Sequence, residues 1–132
     1  MQKIDADFHN ARILVVEDYL VNLELTKEML EMMNCAVDGA EDGEEALELY
    51  DIYEYDLIFM DIQMPKKDGF QTTSAIREAE EKGKKYTPIV ALTANALAGD
   101  REKYLASGMD DYLSKPIRST DLAKVLEKYI DK

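Results

Sequence analysis

Four short apolar runs in this sequence are each followed by residues whose side chains could do chemistry. These residues are three acids, one hydroxyl and one lysine: Glu17, Asp18, Asp61, Thr93 and Lys115. Carboxylate oxygens bind hard divalent cations, and a hydroxyl and an ammonium group can neutralise phosphoryl oxygens. If the five side chains share one site, they could support magnesium-dependent transfer of a phosphoryl group.

The apolar runs themselves have the length and composition of buried strands in a parallel sheet. They cover residues 13–16, 57–60, 89–92 and 112–114, and helix-like stretches separate them. In open α/β sheets, ligands bind outside the carboxyl ends of the strands. We therefore expect the five side chains to meet in one pocket, although they lie far apart along the chain.

The charges in this pocket indicate which ligand it would hold. Glu17, Asp18 and Asp61 would repel one another, so the pocket must either raise a pKa or bind a cation. Together with Lys115 they carry a formal charge of −2, which one divalent cation would neutralise. Zinc usually requires His or Cys, whereas Mg²⁺ or Mn²⁺ suits carboxylates, carbonyls and water.

Asp61 is the candidate acceptor of a phosphoryl group. Its attack on phosphorus would form an acyl phosphate with a charge of about −2. Lys115 and the cation would neutralise the transferred oxygens, and Thr93 could donate a hydrogen bond to one of them. Little acid–base chemistry is needed for this step.

The composition excludes several other classes of protein. The 132 residues are 46% hydrophobic and 33% charged, which is typical of one globular domain. The net charge of −12 argues against a nucleic-acid partner, because Lys and Arg supply most affinity for phosphate backbones. One cysteine, Cys35, and one histidine, His9, exclude a multi-cysteine metal site and a histidine phosphocarrier in the folded body. The apolar runs are too short for a signal peptide or a membrane span, which predicts a cytoplasmic domain without membrane contact.

The pattern along the chain predicts one domain. Residues 1–10 show no regular spacing of apolar residues and are interpreted as a leader or linker remnant. Residues 11–131 are predicted to form the domain. From Arg12 onward, strand and helix alternate five times. Such βα units require right-handed crossovers and place helices on both faces of one parallel sheet. We expect an α/β, flavodoxin-like (βα)5 fold, with a doubly wound five-stranded sheet in the order 2-1-3-4-5.

Apolar residues at helical spacing predict the faces of the helices. In the first helix, the residues at this spacing are Val21, Leu25, Met29 and Met32. Asn34 is a plausible left-handed cap at its end. The fourth helix, 97–106, is the least apolar, so its interior face should be weakly anchored. Ser119 or Thr120 is the candidate N-cap of the last helix.

The order of the motifs resembles that of response-regulator receiver domains over residues 11–131. The matching motifs are 13–18 with its acid pair, 60–65 followed by Asp68-Gly69, the triplet 92–94, and Lys115-Pro116. Val21-Asn22 and the segment 92–97 are similar to receivers of hybrid sensor histidine kinases. Receivers are themselves an example of the flavodoxin-like strand order. The resemblance implies a phosphorelay domain that accepts a phosphoryl group from a histidine kinase or a histidine phosphotransfer protein.

The resemblance also implies a role for each residue of the site. Asp61 would be the phosphoacceptor, and Lys115 would pair with the phosphoryl group. Asp18 would bind the metal directly and Glu17 through water. The backbone carbonyl of Gln63 would complete the protein ligands. Such a domain would catalyse its own phosphorylation and slow dephosphorylation without being a conventional turnover enzyme.

A conformational switch is implied in the same way. The Thr93 hydroxyl would move toward the phosphoryl group, and the ring of Tyr112 would fill the vacated space, so that phosphorylation selects one of two packings. Gln63 and Asn95 would border the path of water and tune dephosphorylation. The Lys115–Pro116 bond would be cis. Weak dimerisation on phosphorylation would be compatible with such a switch.

Other functions stay open on the sequence alone. An aspartate-based phosphatase also forms an acyl phosphate. Phosphatases of that superfamily have a second acid two places after the nucleophile, and this chain has Gln63 at that position. A receiver-like module that only binds proteins would not need the acids, threonine and lysine. A flavin or dinucleotide module would want a Gly-rich or Ser/Thr-rich phosphate loop, and residues 18–22 contain no glycine.

Overall fold

The computed structural model describes residues 8, 11–64, 67–94 and 100–130. Strands and helices alternate along the chain, as the sequence predicts. The strands are β1 Arg12–Val16, β2 Ala36–Ala40, β3 Leu57–Asp61, β4 Ile89–Thr93 and β5 Asp111–Ser114. The helices are α1 Leu20–Glu31, α2 Gly43–Ile52, α3 Gly69–Glu81, α4 Asp100–Ala106 and α5 Ser119–Tyr129. Several residues of the predicted motifs and segments lie outside the described part of the chain, among them His9, Pro65, Asn95 and Leu97.

The five strands form one parallel sheet in the order β2-β1-β3-β4-β5, which confirms the predicted fold. Every residue of β3 and β4 is buried, as expected for central strands covered on both faces. Alternate residues of β1 point to opposite faces: Ile13 packs into a core with α1 and α5, and Leu14 into a core with α2, α3 and α4.

The core extends beyond the first strand toward the amino terminus. Phe8 is 1% exposed, and its backbone N–H donates to the carbonyl of Met33 at 2.9 Å. Its ring lies in the same core as α1 and α5. Packing of this residue therefore contributes to the domain, although the sequence pattern around it shows no period.

The exposed side of α1 differs from the prediction. Val21, Leu25 and Met32 are 61%, 53% and 68% exposed. The residues that face the sheet are instead Leu23, Thr26, Leu30 and the following Met33. Both sets have helical spacing, so the period alone could not decide between them. The direction in which the loop after β1 leads into the helix determines which set is buried.

Two helix ends were predicted, with different outcomes. Asn34 has φ 66°, which confirms the left-handed position after α1. The N-cap prediction for α5 is wrong, because Ser119 is already its first helical residue. Arg118 takes the N-cap position instead, and the carboxylate of Asp121, in the first turn, accepts its backbone N–H at 3.2 Å.

None of the helices among the described residues combines the length with the apolar character that a membrane span requires.

Candidate functional site

The register of the parallel strands brings four distant segments to one edge of the sheet. Met60 is paired with Val16 and Asp61 with Leu92, so Glu17 and Thr93 follow directly on either side of the end of β3. Thr93 is in turn paired with Ser114, which places Lys115 at the same edge. The predicted site residues that line the resulting cleft are Glu17, Asp18, Asp61, Gln63, Thr93 and Lys115. The structure thus brings together the side chains that the sequence pattern singles out.

Lys115 reaches across the end of the sheet to the acids. Its Nζ lies 2.8 Å from Oε1 of Glu17 and 3.3 Å from Oδ2 of Asp61. Its backbone N–H donates to the carbonyl of Thr93 at 2.8 Å, which fixes the end of β5 against that of β4. The Lys115–Pro116 peptide bond is cis, as expected.

Glu17, Asp61 and Lys115 are largely buried, and their pKa values show how they share charge. Burial, followed by the hydrogen bond and negative charge of Glu17, raises the pKa of Asp61 from 3.8 to about 7. Burial alone would also raise the pKa of Glu17, but hydrogen bonds with Asp61 and Lys115 hold it below its ordinary value. Burial would lower the pKa of Lys115, yet the two carboxylates raise it. Without a cation, Asp61 is therefore only partly ionised near neutral pH.

The acid cluster fits a hard divalent cation. Carboxylate oxygens of Glu17, Asp18 and Asp61 lie within 4.8 Å of one another, with Asp18 exposed and the other two buried. The raised pKa of Asp61 indicates that Lys115 alone does not offset burial and the negative charge of Glu17. An ion bound by all-oxygen ligands, open to water on the Asp18 side, would complete that neutralisation, as Mg²⁺ sites do.

The loop after β3 is held close to the phosphoacceptor candidate. The Gln63 backbone N–H donates to Oδ1 of Asp61 at 3.3 Å, and the Gly69 N–H donates to the carbonyl of Ile62 at 3.0 Å. A Cβ atom at Gly69 would lie 2.5 Å from the carbonyl oxygen of Asp61. Only glycine allows α3 to begin so near the end of β3, and this approach shapes one wall of the cleft.

The two predicted switch residues lie on neighbouring strands, and Thr93 but not Tyr112 lines the cleft that contains Asp61. Thr93 is 6% exposed and lines the cleft with Asp61. Tyr112 is half-buried on β5 and lines the adjoining cleft. The side chain between them is Tyr104 of α4, whose hydroxyl donates to Oγ1 of Thr93 at 3.0 Å.

Sequence reasoning missed Tyr104, together with Phe70 and Lys103, as residues of this cleft. A usable signal existed for Tyr104, because a tyrosine on the inner face of a helix must find a hydrogen-bond partner for its hydroxyl. The partner could not be read from spacing. Asn95, the remaining residue assigned to the site, lies outside the described residues.

Comparison with known proteins agrees with this geometry. Residues 13–127 match the sequence profile of the response regulator receiver domain. The chain is 45% identical over 119 residues to the sensor protein GacS of Pseudomonas syringae, a match that covers 89% of this chain. It spans only 13% of the length of that relative.

Solved structures give the same answer. The receiver domain of sensor histidine kinase PA1611 from Pseudomonas aeruginosa, which has magnesium coordinated in its active-site cleft, is 40% identical with a TM-score of 0.81, covering 91% of this chain and 97% of that one. The receiver domain of Ssk1 from Saccharomyces cerevisiae, crystallised with the histidine phosphotransfer protein Ypd1, is 31% identical with a TM-score of 0.85, covering 96% and 91%. Fold, cleft and sequence agree that this chain belongs to the response regulator receiver domains of two-component signalling systems.

Proposed function

We propose that Asp61 is the phosphoacceptor of this receiver and takes its phosphoryl group from a phosphohistidine. The observation that carries the proposal is the contact of Lys115 with both Glu17 and Asp61 at the carboxyl ends of the strands. A carboxylate oxygen of Asp61 would attack phosphorus while the phosphorus–nitrogen bond of the donor breaks. The electron pair of that bond returns to the histidine nitrogen, which takes up a proton as it leaves.

The chain's own residues would stabilise the transferred oxygens. The Lys115 ammonium is already within 3.3 Å of Asp61, so it can move onto a phosphoryl oxygen with little displacement. Thr93, at the edge of the same cleft, can donate its hydroxyl hydrogen to another. Glu17, Asp18, Asp61 and the backbone carbonyl of Gln63 would hold Mg²⁺ or Mn²⁺. When bound, such a cation supplies positive charge to the transferred oxygens.

The proposed donor is a histidine kinase or a histidine phosphotransfer protein, and α1 is the surface that would receive it. Val21 and Leu25 are more than half exposed, and Leu25 lines a groove that also includes Glu17 and Lys115. An apolar surface beside the reacting cleft suits the docking of a partner helix. The Ypd1–Ssk1 complex supports this proposal as a precedent for such a pair.

Substitution of Leu25 tests the docking surface. Leu25→Asp should slow phosphoryl transfer from a histidine phosphotransfer protein at least tenfold, because it places a charge in the apolar contact. Transfer from a small phosphodonor should be unchanged. Ile52→Asp is the matched control, since Ile52 is 69% exposed at the end of α2, away from the cleft. Equal slowing by both substitutions would exclude α1 as the docking surface.

The acceptor itself is tested with a small phosphodonor and Mg²⁺, followed by intact-mass measurement. The wild-type chain should gain the mass of one phosphoryl group, and Asp61→Asn should gain none. Asp51→Asn is the control, because the Asp51 side chain is 84% exposed on α2. A wild-type chain without the adduct, or an adduct that survives Asp61→Asn, would defeat the proposal.

Two alternatives predict different results. A module that only binds proteins would take no adduct, and an aspartate-based phosphatase would turn over its phosphodonor. The amide side chain of Gln63 disfavours the phosphatase, since it cannot act as a general acid or base. The proposal further includes control of the adduct's lifetime by Gln63 and Asn95, weak dimerisation on phosphorylation and a cytoplasmic location. These features rest on the family resemblance.

A further inference from the structure

The side chain of Tyr104 connects α4 to the edge of the site. Among the described side chains of α4, residues 101–106, Tyr104 is the buried one, with 5% exposure. Its hydroxyl donates to Oγ1 of Thr93 at 3.0 Å, and this bond is buried. A short helix of seven residues is thus anchored on the threonine that faces Asp61 across the cleft.

The ring of Tyr104 lies between two other aromatic rings. Its centroid is 6.1 Å from that of Phe70 at an interplanar angle of 20°, and 6.0 Å from that of Tyr112 at 47°. Phe70 lies in the first turn of α3 and Tyr112 on β5. One stacked and one tilted ring contact restrain the Tyr104 ring, so its hydroxyl has little freedom to follow Thr93 if that residue moves.

We propose that Tyr104 is a positioning residue of the switch, which holds Thr93 in the unphosphorylated arrangement and links its release to a movement of α4. This inference rests on the proposed function. A shift of the Thr93 hydroxyl toward a phosphoryl group on Asp61 lengthens its bond to Tyr104. Because the ring is held by its neighbours, the Tyr104 hydroxyl cannot follow, so this buried bond breaks and α4 is released to move. The same ring contacts Tyr112, so α4 is in contact with both residues of the predicted switch pair through Tyr104.

Tyr104→Phe removes the hydrogen bond and keeps the ring. The unphosphorylated arrangement loses one restraint, so the phosphorylated arrangement becomes more accessible. We expect the variant to bind beryllofluoride, a phosphoryl analogue, in the presence of Mg²⁺ about fivefold more tightly than wild type, the size of one net buried hydrogen bond. A calorimetric titration measures this ratio.

Tyr55→Phe is the matched control. Tyr55 is 1% exposed, and its hydroxyl donates to Asp38 at 2.7 Å, beside the amino end of β3 and away from Asp61. Loss of this buried bond should leave beryllofluoride affinity within twofold of wild type. In a Thr93→Val background, the gain from Tyr104→Phe should be smaller than in the wild-type background, because the hydrogen bond between the two side chains is already gone.

A second measurement needs no ligand. Amide hydrogen exchange over residues 101–106 should be faster in Tyr104→Phe than in wild type or Tyr55→Phe, since α4 loses its anchor. An unchanged or weaker beryllofluoride affinity in Tyr104→Phe, the same gain in the Thr93→Val background, or unchanged exchange of α4 would each overturn the inference. If wild type binds beryllofluoride and Tyr104→Phe binds it equally well, the inference fails and the proposed function stands. Wild type that neither binds it nor takes a phosphoryl group removes both.

Discussion

Glu17, Asp61 and Lys115 form a charge system that is incomplete without a cation. Lys115 contacts both acids, yet burial and the charge of Glu17 still raise the pKa of Asp61 to about 7. Near neutral pH and without a cation, the Asp61 carboxylate is therefore partly protonated. Since only ionised carboxylates bind a hard cation well, the proton and Mg²⁺ must compete for Asp61.

This competition predicts a pH-dependent affinity for Mg²⁺. Below about pH 7 each bound ion displaces up to one proton, so affinity should fall by up to about tenfold per pH unit and level off above pH 7. Calorimetric titrations between about pH 5.5 and 8.5 measure it. Asp61→Asn should bind more weakly with a much flatter profile. A wild-type affinity that does not change with pH would contradict the raised pKa.

The raised pKa of Asp61 also determines how the stability of the folded domain changes with pH. The pKa of Asp61 is raised in the folded state, so without metal its contribution to stability is present below about pH 4 and is lost as pH rises through about 7. The fold holds a buried acid cluster that is least stable when fully ionised. Binding of a cation at neutral pH would remove this destabilisation.

Lys115 should matter more for transfer than for folding. Lys115→Ala leaves the transferred oxygens without their ammonium partner, and phosphorylation by a small phosphodonor should slow about 100-fold. Lys124→Ala, an exposed lysine of α5, is the control and should leave the rate unchanged. A rate within twofold of wild type for Lys115→Ala would show that the lysine does not act on the phosphoryl group.

At the scale of elements, one arginine of α3 ties that helix to the sheet at the edge opposite the cleft. The Arg77 side chain donates to the carbonyls of Gly108 and Thr87 at 2.9 and 2.8 Å, and it pairs with Asp110 at 2.9 Å. It is only 18% exposed and stacks over the ring of Tyr86 at 4.3 Å. These contacts join α3 to the segments that precede β4 and β5.

Removal of this arginine should destabilise the domain. Arg77→Ala leaves the carboxylates of Asp110 and Glu80 without their cation and two carbonyls without this donor, which should lower the free energy of unfolding by about 3 kcal/mol. Arg118→Ala is the control, because its pair with Asp121 is 3.6 Å long and its side chain is 78% exposed, so the expected change is below about 0.5 kcal/mol. Urea denaturation of both variants measures the difference. Equal changes in the free energy of unfolding for the two variants would mean that the contacts of Arg77 contribute no more to stability than an exposed ion pair does.

Over the whole molecule, the net charge of −12 opposes folding by self-repulsion, and ions can relieve this in two ways. Screening is unspecific, while a bound cation acts only at the acid cluster. At equal ionic strength Mg²⁺ should therefore raise the Tm further than NaCl, with a gain of about 1.4 kcal/mol when free Mg²⁺ is tenfold above its Kd. Asp18→Asn should lose the extra rise, whereas Asp51→Asn should keep it. Equal shifts for both salts would argue against a specific site.

Much of the architecture follows from local pattern. The apolar runs that end at Asp61 and Thr93 are long enough for buried strands, and the helical stretches between them force parallel pairing. That pairing brings residues 17, 61, 93 and 115 to one edge whatever the details of packing, so their shared cleft was predictable. Their roles in phosphoryl transfer stay predictions.

Local pattern gave the wrong answer where two sets of apolar residues in one helix repeat at the same spacing. Val21 and Leu25 repeat as well as Leu23 and Leu30 do, and the exposed pair was predicted to be the buried one. The N-cap of α5 was also misplaced, because the helix begins at Ser119 and Arg118 takes the cap position. For α1 the choice depends on packing against a sheet whose residues are distant in sequence, whereas for α5 it is a choice between neighbouring residues that the pattern does not resolve.

Taken by itself, the sequence determined the α/β class and which acids, threonine and lysine end up together, because both depend on periodicity and strand polarity. The strand order was expected from the known fold class and not from the pattern. Only the tertiary structure decided that α1 exposes an apolar face, that burial and Glu17 raise the pKa of Asp61, and that the Tyr104 hydroxyl donates to Thr93. These three features depend on burial and on distances between side chains of different elements, which spacing along the chain does not encode.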